Sequence, residues 1–322
     1  MTHSDHMKLK VSIVIPTYNG GSLFQECLEA VYSQRVDFPF EVVVIDSGST
    51  DETVSIAQSV PARLYHVDHR EFDHGLTRNQ GIALSTGDFV VLLTQDATPA
   101  NTGWLRALID PFLDDDLVAG VYARQIPRQD ADVLTKRHLN RWLTGRTERD
   151  VKHISNWAEY ENLTPMQKYL FCNFDDVCSC IRKSVWEKIP YERAVFAEDL
   201  EWSKKVLEAG YKIVYEPEAA VIHSHNRSIT HEYKRTYVCH RRLNELFELR
   251  AVPTLMHVAY SALATTMSSV LYVWMHETNL RKKIPLTLKT PLLCFLSAYA
   301  QYKGARDQIK MGELKAIKGI SY

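Results

Sequence analysis

Val11-Ser-Ile-Val-Ile-Pro-Thr-Tyr-Asn19 is apolar up to its proline and then turns polar at once, and Glu41-Val-Val-Val-Ile-Asp46 repeats the pattern. Runs that are apolar on successive residues have no solvent face, so such strands must be covered on both sides, as in a parallel sheet between helices. Working outward, Arg63-Leu-Tyr-His-Val67 is a weaker third strand, Asp88-Phe-Val-Val-Leu-Leu-Thr94 a fourth and Val118-Ala-Gly-Val-Tyr122 a fifth. Helical stretches fall between them at 22–34, 50–59, 75–86 and 103–113, the second expected to open on a capping box of Ser49 and Glu52. Alternation of this kind gives a doubly wound α/β domain with a mostly parallel, Rossmann-like sheet flanked by helices.

The rhythm breaks over residues 124–172, which are rich in Arg, Asp, Trp and Asn and read as a long irregular insertion. It returns with a strand at 176–181, a helix at 198–209 ended by Gly210, and strands at 212–216 and 220–223. Beyond residue 230 the pattern is helical to the end. Residues 251–275 contain no Asp, Glu, Lys or Arg, a length that could span a bilayer. The Ser, Thr, His and Pro scattered through it dilute that signal, so a packed helix is expected, or one lying on a membrane.

The 322 residues are 45% apolar and 24% charged, ordinary values for a chain that buries a core. A net charge of −1 hides an asymmetry: residues 281–322 carry a net +7, leaving about −8 on the rest. A basic tail on an acidic body argues against nucleic-acid binding and for an anionic surface met by the tail. There Arg281, Lys282, Lys283, Lys289, Lys303, Arg306, Lys310, Lys315 and Lys318 interleave with Leu and Phe, as in a basic amphipathic helix on a membrane. Six cysteines without paired CxxC spacing read as buried free thiols in a reducing compartment. Met1–Met7 has no apolar stretch, so no secretory signal is expected, Met7 is a plausible start, and the location is cytoplasmic.

Ligands of an open α/β sheet collect at the carboxyl ends of its strands. Thr17, Tyr18 and Asn19 stand there after the first strand, Asp46 after the second, Gln95 and Asp96 after the fourth. There is neither GxGxxG after the first strand nor GxxxxGK[ST] anywhere, so phosphate is expected to be held through a divalent cation on carboxylate.

Val11–Asn19, Val44-Ile-Asp-Ser-Gly-Ser-Thr-Asp51, Thr77-Arg-Asn-Gln-Gly81 and Phe196-Ala-Glu-Asp199, in that order, resemble family-2 glycosyltransferases with the GT-A fold. Phe72-Asp-His-Gly75 and Thr94-Gln-Asp-Ala-Thr-Pro99 are similar to bacterial rhamnosyltransferases of surface polysaccharide synthesis. The resemblance implies a catalytic domain over 8–230, with 124–172 an acceptor-side insertion, and a helical C-terminal region over 231–322. It implies inverting transfer of a sugar from a nucleotide diphosphate, L-rhamnose from dTDP-β-L-rhamnose foremost, to a glycan or lipid-linked glycan. A UDP-hexose or UDP-N-acetylhexosamine donor is the alternative, as is a catalytically silent subunit that binds nucleotide sugar or membrane.

The family's DxD metal motif falls at Thr94-Gln95-Asp96, where only the last carboxylate remains. Asp96 is thus the expected Mg²⁺ or Mn²⁺ ligand, with His223 beside it and His225 two residues on. Glu198-Asp199 matches the family's catalytic ED pair, with Asp199 the expected base and Glu198 beside it capping the helix. Thr17, Asn19, Asp46 and Gln95 are expected around base and ribose, and His74 and Arg78 near diphosphate or sugar. Arg124 and Gln125 are expected at the donor sugar, and Trp104, Trp142 and Trp157 are candidate stacking platforms.

Overall fold

In the computed structural model, residues 9–194, 196–226 and 228–317 are described; Met7 and Lys318, and the side chain of Lys315, lie outside the described residues. Two compact units make up the chain. The first consists of the chain up to Gln129 with Leu139–Trp157 and Cys172–Ser224. The second consists of Asp130–His138, Ala158–Phe171 and the chain from His225.

The first unit opens with β1 (Val11–Thr17), α1 (Gly21–Tyr32), β2 (Phe40–Asp46), α2 (Thr53–Gln58), β3 (Ala62–His66), α3 (His74–Leu84) and β4 (Phe89–Leu93). A short β5 (Thr98–Pro99), α4 (Trp104–Asp114) and β6 (Val118–Ile126) follow. Residues 124–172, expected to be irregular, instead carry the end of β6, α5 (Val133–Arg141), β7 (Asp150–Lys152), α6 (Trp157–Glu161) and α7 (Pro165–Phe171). Elements this short do not complete enough periods to show in the sequence. Then come β8 (Cys178–Arg182), α8 (Lys183–Trp186), α9 (Glu198–Glu208) and β9 (Lys212–Ile222). The two strands expected at 212–216 and 220–223 are one, with Pro217 at a break in register against β6, where its missing N–H costs no ladder bond.

The strands form one sheet in the order β3-β2-β1-β4-β8-β6-β9-β5, with β7 also on β9. The first four are parallel to one another, as expected. β8 runs antiparallel to both β4 and β6, and β5 and β7 run antiparallel to β9, so the second half of the sheet is mixed. Val11, Ile13 and Ile15 pack with Val42 and Val44 under Phe24, Leu28 and Val31 of α1. Each such fully buried side chain contributes about 1.5–3 kcal/mol. The opposite face is covered by α3, which rests so close that a Cβ on Gly81 would meet Val14 Cγ1 at 2.3 Å. None of the six cysteines is in a disulfide, and burial pushes the thiols of Cys27, Cys178 and Cys180 up.

In the second unit α10 (Ile229–Phe247), α11 (Leu255–His276) and α12 (Leu280–Ile317) follow in turn. The later part of α12 lies against α10, where Tyr237 Oη donates to Asp307 Oδ2 at 2.9 Å and Arg241 Nε to Gln308 Oε1 at 2.9 Å. Gly304 permits this approach: a Cβ there would meet Tyr237 O at 2.4 Å. That stretch is therefore a packed helix rather than the amphipathic membrane tail expected, and Lys303 is held by Asp307. Val258 and Ala262 of α11 pack with Val252 and Ala298. By length and composition α11 is long and apolar enough to cross a membrane.

Candidate active site

The polar residues of the first unit gather at one edge of the sheet, at the C-terminal ends of β1, β2, β4, β6 and β9 and the N-terminal end of antiparallel β8. At the first two ends, Thr17 Oγ1 donates to Asp46 Oδ1 at 3.1 Å. Asp46 also accepts from Ser49 Oγ and from the backbone N–H groups of Gly48 and Ser49, both at 3.0 Å. Burial works against ionisation here, but these hydrogen bonds prevail and hold the carboxyl below its ordinary value. With both oxygens engaged and only 1% of the residue exposed, Asp46 shapes its own loop. The demand of Asp46 on Ser49 also removes the expected capping box, and the N–H of Thr53 is taken by Asp51 Oδ1 instead.

Asn19, at φ 47°, ties the same loops together: its N–H donates to Ser49 Oγ, and its Oδ1 accepts from Thr50 N at 2.8 Å. Asparagine tolerates this left-handed conformation better than most residues. The exposed ring of Tyr18 stacks on His69 with centroids 4.4 Å apart. Gln95, standing where the metal motif would have its first aspartate, pairs with the Tyr18 backbone: Tyr18 N donates to Oε1 at 2.9 Å, and Nε2 donates to Tyr18 O at 3.0 Å. An aspartate carboxylate could not return the second bond, because it has no donor. Gln95 is a brace between strand ends.

Asp96 Oδ1 and His223 Nε2 lie 3.7 Å apart. Gln125 Nε2 donates to Asp175 Oδ2 at 2.8 Å, which orients the amide, because a carboxylate only accepts. Gln125 Oε1 then faces His223 Nδ1 at 3.1 Å and must accept its proton. The lone pair of Nε2 is thereby turned to the Asp96 carboxylate. Two electron pairs facing one another across that gap call for a cation or a proton between them. Arg128, absent from the sequence-level candidates, fixes the other side: its Nη2 donates to Asp96 O at 2.8 Å. Gln125 is thus a partner of His223, and Arg124 sits at the irregularity of β6, beside the Tyr215 phenol.

The third group is a knot of carboxylates around one guanidinium. Arg78 is 7% exposed; its Nη1 donates to Glu198 Oε1, and its Nε lies 3.5 Å from Asp176 Oδ2. Arg78 is therefore engaged inside the protein rather than reaching a diphosphate, and Glu198 is its ion-pair partner rather than a cap. Ala197, at φ 59°, turns the chain into α9 so that Glu198 and Asp199 stand in its first turn. Asp199 Oδ2 accepts from Asp176 N at 3.3 Å. Burial, then Glu198, Asp176 and Asp175, hold the Asp199 carboxyl well above its ordinary value against the pull of Arg78. Asp176 is pushed up to about 6, again by burial first. The pair Asp175-Asp176 was legible as two acids at the head of a strand, but its partners lie far away in sequence.

His74 opens α3 beside this knot, its ring edge-on to Phe72 at 5.0 Å. Burial of the ring holds it below the ordinary imidazole value, with Glu198 opposing. Asn79 accepts from Trp186 Nε1 and donates to Tyr191 O, pinning the chain that leads to α9. Trp104 is fully buried with its Nε1 on Cys178 Sγ, so it is core and not a sugar platform; Trp157 is half exposed.

Residues 12–189 match the model of the family described as Glycosyl transferase family 2. The O-antigen chain rhamnosyltransferase RfbN of Salmonella typhimurium is 34% identical over 233 residues, 71% of each chain. The O-antigen chain rhamnosyltransferase WbaN of Salmonella anatum is 34% identical over 70% of each. Among solved structures, a mannosyltransferase from Pyrobaculum calidifontis in complex with GDP-Man and Mn²⁺ superposes with a TM-score of 0.57 at 21% identity, over 92% of this chain and 87% of that one. S. aureus TarS 1-349 gives 0.52 at 17% identity, over 98% and 93%. At these identities the structures establish the shared GT-A fold.

Proposed function

The chain belongs to glycosyl transferase family 2, and from that membership we propose an inverting rhamnosyltransferase of bacterial surface polysaccharide synthesis. It takes L-rhamnose from dTDP-β-L-rhamnose and delivers it to a hydroxyl of a glycan or lipid-linked glycan on the cytoplasmic side of the membrane. Residues 124–172 contribute on the acceptor side.

The observation that carries the metal-assisted reading is the pair of Asp96 Oδ1 and His223 Nε2, with Gln125 fixing the tautomer. Asp96 and His223 would hold a divalent ion. An imidazole in the set favours Mn²⁺ over Mg²⁺. Such an ion supplies charge neutralisation to the leaving diphosphate.

Asp199 is the base. As the acceptor oxygen bonds to the anomeric carbon, the carboxylate takes its proton, and the bond from that carbon to the phosphate oxygen breaks with its electrons leaving on the diphosphate. The product is the α-anomer. Burial, and then crowding by Glu198, Asp176 and Asp175, makes Asp199 a stronger base than an ordinary carboxylate. Arg78 and Glu198 position it from behind, while Thr17, Asn19, Asp46 and Gln95 hold the loops that meet the nucleotide. The stacked Tyr18 and His69 rings offer that nucleotide an aromatic wall, and His74 stands at the sugar side. The missing first aspartate of DxD favours one rival, a silent subunit that binds donor without turnover.

Thermal-shift titration with dTDP, UDP and GDP, with and without Mn²⁺, tests donor and metal together. At a ligand concentration a hundredfold above Kd, stabilisation is about 2.7 kcal/mol, or about 5–11 °C. Mn²⁺-dependent stabilisation by dTDP that is lost in Asp96→Ala supports the proposal. A preference for UDP moves the donor to a UDP-hexose or UDP-N-acetylhexosamine. Asp199→Asn should lower transfer by about 10²–10⁴ while leaving the dTDP response intact; unchanged transfer would remove Asp199 as base.

A further inference from the structure

The outer side of α11 carries Met256, Tyr260, Leu263, Met267, Leu271 and Trp274, spaced by three and four residues on one helical stripe and each 54–77% exposed. The stripe runs the length of the helix, about 33 Å. No Asp, Glu, Lys or Arg interrupts residues 251–275. The first half of α12 adds Leu280, Ile284, Leu288 and Leu292, four residues apart and each 52–75% exposed. Soluble surfaces seldom show apolar area this continuous unless something covers it.

The charges at its borders identify what does. Arg250 is exposed just before α11, and Arg281 and Lys282 are exposed just after it. Lys283 Nζ sits 5.2 Å from the Trp274 ring centre and donates to Trp274 O. Glu277, the acid at this end, accepts from Asn279 N. An uncharged apolar stripe with cations at both ends and a tryptophan beside a lysine is complementary to an anionic lipid surface, with hydrocarbon beneath and phosphate at the rim.

We propose that α11 and the first half of α12 lie flat on an anionic membrane as a single interfacial anchor. The helix does not cross. Its inner side packs Val258 and Ala262 against Ala298 of α12, and α12 carries Lys289, 3.5 Å from Asp132, along its course. A spanning α11 would pull these charges into hydrocarbon. The membrane face thus moves from the later basic tail, which is packed on α10, to the preceding helix pair. The inference stands independently of which sugar is transferred.

The test is flotation of the full chain with vesicles of phosphatidylcholine alone and of an equal mixture with phosphatidylglycerol. Binding should favour the anionic vesicles by about tenfold or more and weaken in about 1 M salt. The double variant Met267→Glu/Leu271→Glu should reduce it at least about tenfold, with an unchanged melting curve because both side chains already face solvent. Wild type that does not float, or a variant that floats equally, overturns the proposal. So does resistance to alkaline carbonate extraction, which marks a spanning helix. A dimer in solution that the variant dissociates, without vesicle binding, assigns the face to a second copy instead. Nucleotide-induced stabilisation, followed in the same samples, reports separately on the catalytic reading.

Discussion

Replacing Arg78 by methionine separates an internal ion pair from a substrate ligand. The guanidinium is 8% exposed, its partners Glu198 and Asp176 are 8% and 1% exposed, and Asp199 lies in the same knot. Methionine keeps most of the volume and removes the guanidinium charge, leaving buried carboxylates facing one another. Breaking a buried pair in this way costs about 3–5 kcal/mol. The melting temperature should fall by roughly 6–20 °C.

The pH dependence has a definite sign. Carboxyls whose folded pKa is raised contribute stability that is present at low pH and lost as pH rises through that value. The deficit of Arg78→Met should therefore shrink as pH falls below about 6, where Asp176 takes up its proton, and widen above it, with the raised Asp199 carboxyl acting in the same direction. The assay is denaturation of wild type and Arg78→Met across pH 5–8, with Glu198→Gln and the double variant completing a cycle. The double variant should recover part of the loss. A deficit below about 1 kcal/mol and flat with pH, with dTDP affinity reduced, would refute this account and return Arg78 to the diphosphate.

Other perturbations test the neighbouring parts. Gln95→Asp, which restores the DxD spelling, should cost about 1–3 kcal/mol through the two bonds to Tyr18 and leave the Mn²⁺ response no stronger; a stronger response at full stability would contradict the bracing role. Gln125→Leu frees the His223 tautomer and should weaken Mn²⁺ binding about 10–100-fold by calorimetry, and unchanged affinity would sink the orientation argument. His240 of α10 is pushed down to about 4 by burial. A depressed folded pKa means stability lost as pH falls from about 6.5 to 4, by about 3 kcal/mol, and His240→Leu should flatten that part of the pH–stability profile.

The layered α/β core was written in Val11–Asn19 and Glu41–Asp46, because an unbroken apolar run admits few placements and each burial is local to its strand. The strand ends, the Glu198-Asp199 turn and the Asp96 position were legible for the same reason: each is a short motif at a predictable place on a strand or helix. What those residues touch was not legible. Arg78 meets Glu198 across 120 residues of chain, Gln125 meets His223 across 98, and Gln95 meets Tyr18 across 77. Sequence patterns carry side-chain chemistry and local period; they do not carry the sheet order that sets β8 between β4 and β6 and brings Asp175 to Gln125. Hence the sequence by itself determined the family, the fold and the kinds of group present. Only the tertiary structure decided that Arg78, Gln95 and Asp46 are engaged by the protein itself, that Asp96 stands against His223, and that Asp199 joins the Arg78 knot.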